Sequence, residues 1–427
     1  MPLPISISYF WNLGRILGLL IGLQLLSGLI LSMHYVRSRS ISFSIVVSIM
    51  IDVDRGILLR YMHCNGSRLL FLIVYLHIFK GIYYNRYDSN KWTWIIGCIV
   101  YVLLILTAFL GYVLPWGQIR YWGATVISRL ITTIPNVGKW LLVIIWGDYS
   151  VSNGVLNRFF ALHFLIPFII IVIVLLHLTI LHKKGRTTVV RHNKTILPFS
   201  NYFMLKDLVG FIMILILLII NVYYYPSYYL DSENSIIANP IVTPIHIVPE
   251  WYFLYAYCIL KRFDSKLLGV WILIIGVIIF PLLATSVNII TYPEHYINNL
   301  NSKYLKDSIY HKIRIVMWLA NFVILTYLGA LQLTAPYTVL AKFCIYIHIL
   351  PRLLTLQEEG IKWIIDTVLP AILLFIIYIK NKIVKLLMHR GFIYFGCPDK
   401  RCCLDIEFCQ CCLYHLYCRM DLFYWTL

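Results

Sequence analysis

The sequence predicts an all-α membrane protein with eight transmembrane helices. Of its 427 residues, 61% are hydrophobic, which is far above the content of a soluble globular domain. Several apolar segments reach ~20 residues, enough to cross a hydrocarbon core of ~30 Å. Basic residues concentrate in alternate loops, as expected for a polytopic protein. The net charge of +18 does not predict nucleic-acid binding, because no compact basic domain accompanies it.

The predicted spans follow the chain in order. They cover approximately residues 11–33, 61–83, 94–114, 159–181, 207–223, 267–290, 315–333 and 361–380. The eighth span is open between 361–380 and a shorter apolar run at 338–350; we favour the former and expect 338–360 to be an inserted interfacial segment. The Trp, Tyr and Gly content of 115–158 predicts short amphipathic helices at the membrane surface.

The loop charges set an orientation. The loops after the second, fourth and sixth spans are rich in lysine and arginine, so they face the compartment where the protein was made. Another basic cluster follows 361–380 and lies on the same side only if the spans number eight. These features divide the chain into residues 1–206, residues 207–390 and a Cys-rich extension, 391–427.

Four histidines repeat one spacing. His63 and His77 lie fourteen residues apart in the second span, and His163 and His177 repeat this interval in the fourth. Fourteen residues rise ~21 Å and return to nearly the same helix face. Two such helices can offer one imidazole pair near each membrane surface, and a b-type haem takes two axial imidazoles. A single histidine in an apolar helix can be a satisfied core residue, but identical spacing in two helices makes chance a poor explanation.

Glycines repeat the same interval in the neighbouring spans. Gly14 and Gly28 lie in the first span, and Gly97 and Gly111 lie in the third. Glycine allows close approach in a membrane helix, either by another helix or by a flat porphyrin. Because the glycine pairs are in step with the histidine pairs, we predict that the first four helices form a bundle around two b-type haems.

Six motifs carry a resemblance that covers about residues 9–335. They are WNLG at 11–14, RYMHCNG at 60–66, GYVLPWGQ at 111–118, WGATVI at 122–127, LHF at 162–164 and PEWYFLYAY at 249–257. With these motifs the chain resembles the mitochondrial cytochrome b family, the di-haem subunits of ubiquinol–cytochrome c reductase (the bc1 complex, complex III).

The resemblance assigns roles to the histidines. His63 and His163 would ligate a low-potential haem near the outer face, and His77 and His177 a high-potential haem near the matrix face. Arg60 would pair with a haem propionate. Lys80 stands where many relatives have arginine, which keeps the charge but loses the planar fork.

The resemblance also implies a quinol-oxidising site between the 115–135 segment and the PEWY segment. Glu250 would accept a proton there, although it could instead be a structural carboxylate satisfied by loop amides. Tyr112 and Tyr257 would act with it, although an aromatic at a helix end is often only a membrane-belt residue. The remaining lining residues would be Gly123, Ile127, Pro249 and Phe253.

A quinone-reducing site would lie at the opposite face. His182, Lys206 and Asp207 match quinone-contacting residues of the family and could relay matrix protons. They could also form a basic cluster that touches lipid head groups. Arg15 and Arg186 depart from the family, because relatives often have small polar residues there.

The implied function is that of a proton-translocating oxidoreductase. It would oxidise ubiquinol at the outer site, pass one electron through two b haems and reduce ubiquinone at the matrix site. The implied partners are cytochrome c1, the Rieske iron–sulfur protein and further complex III subunits in a homodimer, with lipids such as cardiolipin. The implied location is the mitochondrial inner membrane, with the C-terminus in the matrix.

Three alternatives to this function remain open from the residues alone. A bacterial quinol oxidase module would use the same chemistry. A proton-coupled transporter with intramembrane histidines would contain no haem and would explain neither the glycine interval nor PEWY. A membrane scaffold with incidental histidines has the same weakness.

The extension 391–427 contains seven cysteines and His415. Their spacing does not form a clean pair of CxxC knuckles. A zinc site, a disulfide framework and a lineage-specific packing extension all remain open.

Overall fold

The computed structural model describes residues 2–4, 7–84, 86, 90–184, 196–282 and 309–354, and they are predominantly helical. Their helices are α1 (Leu13–His34), α2 (Ser42–Ile51), α3 (Gly56–Tyr83), α4 (Lys91–Val113), α5 (Gln118–Arg129), α6 (Gly138–Trp146), α7 (Asn153–Lys184), α8 (Met204–Tyr224), α9 (Leu254–Lys261), α10 (Lys266–Leu282), α11 (Ile309–Ala330) and α12 (Ala335–Leu354). Two short strands, β1 (Pro2–Pro4) and β2 (Ile196–Pro198), pair antiparallel.

Five helices of the described residues, α1, α3, α4, α7 and α8, are long and apolar enough to cross a membrane. They confirm the first five predicted spans. Their ends extend beyond the predictions: α3 begins at Gly56 and α7 at Asn153. Hydropathy marks the part of a helix that lies in lipid, whereas the backbone hydrogen bonding continues past the interface. Residues 153–158 therefore belong to α7, and the predicted boundary between residues 206 and 207 falls inside α8.

The described residues cover only part of the predicted C-terminal spans. Helix α10 begins at Lys266, just before the sixth predicted span, and α11 begins at Ile309, about a turn and a half before the seventh. Residues 335–354 form the continuous helix α12, which packs on α11: Asn321 Nδ2 donates to the Cys344 carbonyl at 2.8 Å, and Trp318 Nε1 to the His348 carbonyl at 3.3 Å. The candidate span 361–380 and the extension 391–427 lie outside the described residues, so the count of eight spans stays a prediction.

The histidine-bearing helices belong to different helix pairs. Helix α3 packs against α1, and α7 packs against α4. Helix α8 contacts both α1 and α3. Helix α3 also carries deeply buried side chains, among them Phe71, Val74 and Tyr75. This pairing brings each histidine helix against a helix that carries the matching glycines.

The turn after α4 contacts residues 225–253, the segment between α8 and α9 that we call the PEWY loop after its motif. Trp116 is buried and adopts a φ of +55°, which is uncommon for a residue other than glycine. Its carbonyl accepts from the Ala238 amide at 3.1 Å, and the Gln118 amide donates to the Ile236 carbonyl at 3.0 Å. At Gly117 a side chain would meet the Asn234 carbonyl oxygen at 2.7 Å, so only glycine fits here without displacement.

Helices α5 and α6 confirm the short helices predicted for 115–158. Two features have no counterpart in the sequence predictions, namely α2 and the β1–β2 pairing. Helix α2 is ten residues long, too short to give a spanning signal. The two strands are three residues each and join positions almost 200 residues apart, so no local pattern announces them.

Candidate functional site

Each of the four glycines faces one histidine on the neighbouring helix. A methyl group at Gly28 would lie 3.1 Å from Cε1 of His63, and one at Gly14 would lie 3.5 Å from Cε1 of His77. On the other helix pair, Gly111 faces His163 closely, and Gly97 would meet His177 at 3.1 Å. We call His63, His163, Gly28 and Gly111 the His63 level, and His77, His177, Gly14 and Gly97 the His77 level.

At the His63 level the two imidazoles lie at a spacing that suits two ligands of one metal ion. The ring centres of His63 and His163 lie 6.2 Å apart, with the rings nearly perpendicular at 87°. A metal–nitrogen bond of ~2 Å on each side, plus ~1 Å from each nitrogen to its ring centre, gives ~6 Å between ring centres. The spacing therefore fits a single iron between the two rings.

Hydrogen bonds orient both rings. Nδ1 of His163 lies 2.8 Å from the Thr107 carbonyl, so this nitrogen carries the proton. Nδ1 of His63 lies 2.9 Å from the hydroxyl of Ser27, which is itself 2.7 Å from the Leu23 carbonyl and donates to it. Both arrangements leave Nε2 with its lone pair available for a metal.

A largely apolar cavity opens beside this level, lined by residues of α1 to α5, α7 and the PEWY loop. Its walls include the Gly28 and Gly111 backbone, Phe71 and Phe160. Its charged members are Arg60, Arg120 and Glu250. An apolar slot between two imidazoles with charged groups at its margin fits a b-type haem, whose porphyrin is apolar and whose propionates are charged.

Glu250 lies in a bidentate ion pair with Arg68. Arg68 Nη2 is 2.9 Å from Oε1 and Nε is 3.0 Å from Oε2, with side chains only 6% and 9% exposed. Arg68 also donates to Asn65 Oδ1 at 2.7 Å and to the Tyr229 carbonyl at 3.2 Å. The carboxylate is therefore held by an arginine of α3 rather than by loop amides.

Each of the other predicted quinol-site residues makes contacts of its own. Tyr112 lines the cavity, and its hydroxyl oxygen accepts from Asn234 Nδ2 at 3.3 Å. The Tyr257 hydroxyl donates to the Ile247 carbonyl at 2.8 Å, which closes the loop that contains Pro249. Burial raises the pKa of Tyr257, so the hydroxyl remains a donor at neutral pH. The Phe253 ring lies 6.2 Å from that of Phe71.

Gly123 and Ile127 lie one turn apart on α5. A methyl group at Gly123 would meet nothing within 4 Å, so this face of α5 borders open space. Ile127 is half-buried. Both positions are compatible with a pocket wall.

At the His77 level, Lys80 extends over Trp11, with Nζ 4.6 Å from the ring centre. Nearby, Asp207 is largely buried and forms an ion pair with Arg15, which also stacks on Phe199 at 4.6 Å. The arginine that departs from the family therefore engages the predicted site carboxylate.

The remaining members of this candidate site are separate. Lys206 Nζ donates to the Ile7 carbonyl at 2.6 Å and lies 4.9 Å from the Tyr9 ring centre. His182 is exposed near the end of α7. Within the described ranges no hydrogen bond or ion pair joins His182 to Asp207 or Lys206, so their common site stays a prediction.

Sequence reasoning missed Arg68 and Arg120. Both lie in or beside apolar segments, where an arginine is readily taken for an interfacial anchor. The partner of Arg68 lies 182 residues away, beyond any local pattern. The usable signal was the rarity of a buried charge in a membrane helix.

Comparisons with known proteins agree with this geometry. The family model described as Cytochrome b/b6/petB matches residues 1–185, and the model described as Cytochrome b(C-terminal)/b6/petD matches residues 237–349. The chain is 43% identical to cytochrome b of Albinaria caerulea over 80% of this chain and 90% of that protein. It is 40% identical to cytochrome b of Spizellomyces punctatus over 93% of this chain and 94% of that protein.

A solved structure agrees as well. The chain superposes on one titled "Hyperthermophilic respiratory Complex III" with a TM-score of 0.72 and 27% identity, covering 81% of this chain and 90% of the other. A transporter or a scaffold accounts for neither these matches nor the facing histidines and glycines. The chain belongs to the cytochrome b family and is a multi-pass, haem-binding membrane protein of electron transport.

Proposed function

We propose that this chain is the di-haem subunit of a mitochondrial ubiquinol–cytochrome c reductase. It oxidises ubiquinol beside the His63 level and reduces ubiquinone beside the His77 level, and this electron transfer is coupled to proton translocation. The observation that carries the proposal is that each of the four histidines of the His63 and His77 levels faces its own glycine. Two repeats of this arrangement, fourteen residues apart on each helix, support two haems rather than one.

The protein side of each haem site follows from these contacts. His63 and His163 would hold one haem, and His77 and His177 the other. When bound, a b-type haem supplies a reversible one-electron iron couple between the two quinone sites. The Ser27 and Thr107 oxygens fix the ring orientation of the first histidine pair, while the glycines leave room for a flat macrocycle.

At the quinol site, Glu250 would accept a proton. Oxidation of a quinol releases two protons and two electrons, so a base beside the ring oxygen assists the reaction. The ion pair with Arg68 fixes the position of the carboxylate before quinol binds. Uptake of a proton by Glu250 would weaken this ion pair. Tyr112 would bound the pocket, and Tyr257 would hold the loop that carries Glu250 in place.

At the quinone-reducing site, Asp207 would deliver protons that arrive from the matrix. Its ion pair with Arg15 fixes the position of the carboxylate, and the adjacent residue Lys206 adds positive charge. His182 is exposed and would exchange protons with the aqueous phase.

Partners and location follow from the proposed reaction. Cytochrome c1, the Rieske iron–sulfur protein and a second copy of this chain would complete a complex III in the mitochondrial inner membrane, with cardiolipin at its basic loops. In this arrangement the C-terminus would face the matrix.

The experiment is a dithionite-minus-ferricyanide difference spectrum of the purified complex and of single histidine variants. The wild type should show two b-type bands; His63→Ala should lose one band, and His77→Ala should lose the other. His34→Ala removes an exposed histidine at the end of α1 and is the matched control. A folded wild-type complex without b-type absorbance would refute the proposal.

A further inference from the structure

Arg120 is a buried cation that the proposed reaction does not yet use. It lies in the first turn of α5, is 4% exposed, and lines the cavity beside His63 and His163. Its Cζ lies 5.1 Å from the ring centre of Tyr112. Its Nε is buried and has no hydrogen-bond partner among the described residues.

The cavity carries more positive than negative charge. Its charged lining consists of Arg60, Arg120 and Glu250. Glu250 is already neutralised by Arg68, which binds both of its carboxylate oxygens. Arg60 and Arg120 repel each other, and within the described ranges neither has a carboxylate partner. Burial of such charges is unfavourable unless an anion compensates them, so the cavity is built for a ligand with two negative charges.

The excess of positive charge in the cavity indicates the chemistry of its ligand. A b-type haem carries two propionates on one edge of an otherwise apolar ring, whereas a quinone is uncharged. A guanidinium binds a carboxylate through two parallel hydrogen bonds. The apolar slot between the histidines takes the ring, which leaves the two propionates for the two arginines.

We propose that Arg120 binds one propionate of the haem at the His63 level while Arg60 binds the other. This inference rests on the proposed haem function and adds a binding residue to it. Its consequence is electrostatic: a fixed positive charge close to the haem stabilises the reduced iron, so Arg120 raises the midpoint potential of this haem and leaves the second haem unaffected.

The test is a redox titration of the intact complex carrying Arg120→Gln, with Arg120→Lys and Arg129→Gln beside it. Arg129 is exposed on the same helix and serves as the matched control. For a charge at about 10 Å in a medium of effective dielectric constant about 20, Arg120→Gln should lower the ratio of reduced to oxidised haem about tenfold at a fixed potential, which corresponds to 59 mV for a one-electron couple. Arg120→Lys keeps the charge, so the midpoint potential of this haem should stay close to its wild-type value.

The outcomes separate this inference from the function on which it rests. A wild-type complex without haem would overturn both. Two haems in the wild type with an unchanged potential in Arg120→Gln would overturn this inference alone, as would a raised KM for quinol without a change in potential. Loss of both haems in the Gln and Lys variants would show that Arg120 is needed for the bundle to fold. That result would also refute this inference.

Discussion

The ion pair between Arg68 and Glu250 gives the sharpest quantitative prediction. Arg68→Met replaces a buried guanidinium by an apolar side chain of similar length. It leaves the Glu250 carboxylate buried and without the two hydrogen bonds at 2.9 and 3.0 Å that now satisfy it. The Asn65 side chain and the Tyr229 carbonyl lose a donor as well.

The expected magnitude follows from burial. With both side chains less than a tenth exposed, the ion pair is in the regime where removal of one partner costs ~3–5 kcal/mol of unfolding free energy. At ~1.4 kcal/mol per decade, the unfolded-to-folded ratio should rise by about two to three and a half orders of magnitude. The double variant Arg68→Met/Glu250→Leu removes both charges, and its unfolding free energy should return to within ~1–2 kcal/mol of the wild type.

The assay separates stability from function. Denaturant unfolding of the detergent-purified complex, followed by the b-type absorbance, gives the stability of each variant. Quinol oxidation should fall ~10²- to 10⁴-fold in the double variant despite its recovered stability, because the proton acceptor is gone. Arg129→Met is the exposed control for loss of an arginine. The reasoning fails if Arg68→Met costs less than ~1 kcal/mol, or if the double variant oxidises quinol at the wild-type rate.

Three further predictions concern other parts of the chain. Gly28→Val should abolish the haem band of the His63 level, because the facing imidazole lies 3.1 Å from the added carbon, whereas Gly22→Val points into open space and should keep both bands in the same spectrum. Arg262→Ala should cost ~3–5 kcal/mol in denaturant unfolding, because the fully buried guanidinium satisfies carbonyls at the C-terminal end of α11; Lys261→Ala, its half-exposed neighbour, should cost under ~1 kcal/mol, and equal costs would contradict this capping role. Asp207→Asn should slow reoxidation of the His77-level haem ~10- to 100-fold in stopped-flow absorbance, and unchanged reoxidation would remove Asp207 from the quinone site.

The parts of this protein that the sequence predicted are periodic along the chain. Apolar runs of ~20 residues located the first five spans because lipid demands that length whatever the fold. The fourteen-residue steps located the His63 level and the His77 level, where histidines face glycines, because a helix returns to the same face at that interval. The match between His77 and Gly14, or between His177 and Gly97, then needed only that the two helices lie side by side.

The parts that the sequence did not predict are pairs between distant residues. Arg68 meets Glu250 across 182 positions, and Arg15 meets Asp207 across a similar interval. No periodicity links such residues, since their approach is set by how α1, α3, α8 and the PEWY loop pack. The predicted helix ends were wrong for a related reason. Helix α7 begins at Asn153, before the predicted start at residue 159, because hydrogen bonding and not hydropathy decides where a helix begins.

Both carboxylates proposed to exchange protons share one arrangement. Glu250 is held by Arg68, on the helix that carries His63 and His77, and Asp207 is held by Arg15, the residue next to Gly14. An arginine keeps its charge at any physiological pH, so protonation of Glu250 leaves the buried Arg68 without the anion that now binds it. The proton must therefore leave again, or negative charge must reach the site, before the bundle returns to its lowest free energy. In this chain the carboxylates of the structural ion pairs are thus the groups proposed to exchange protons. A substitution that changes the stability of such an ion pair therefore also changes the proposed proton exchange.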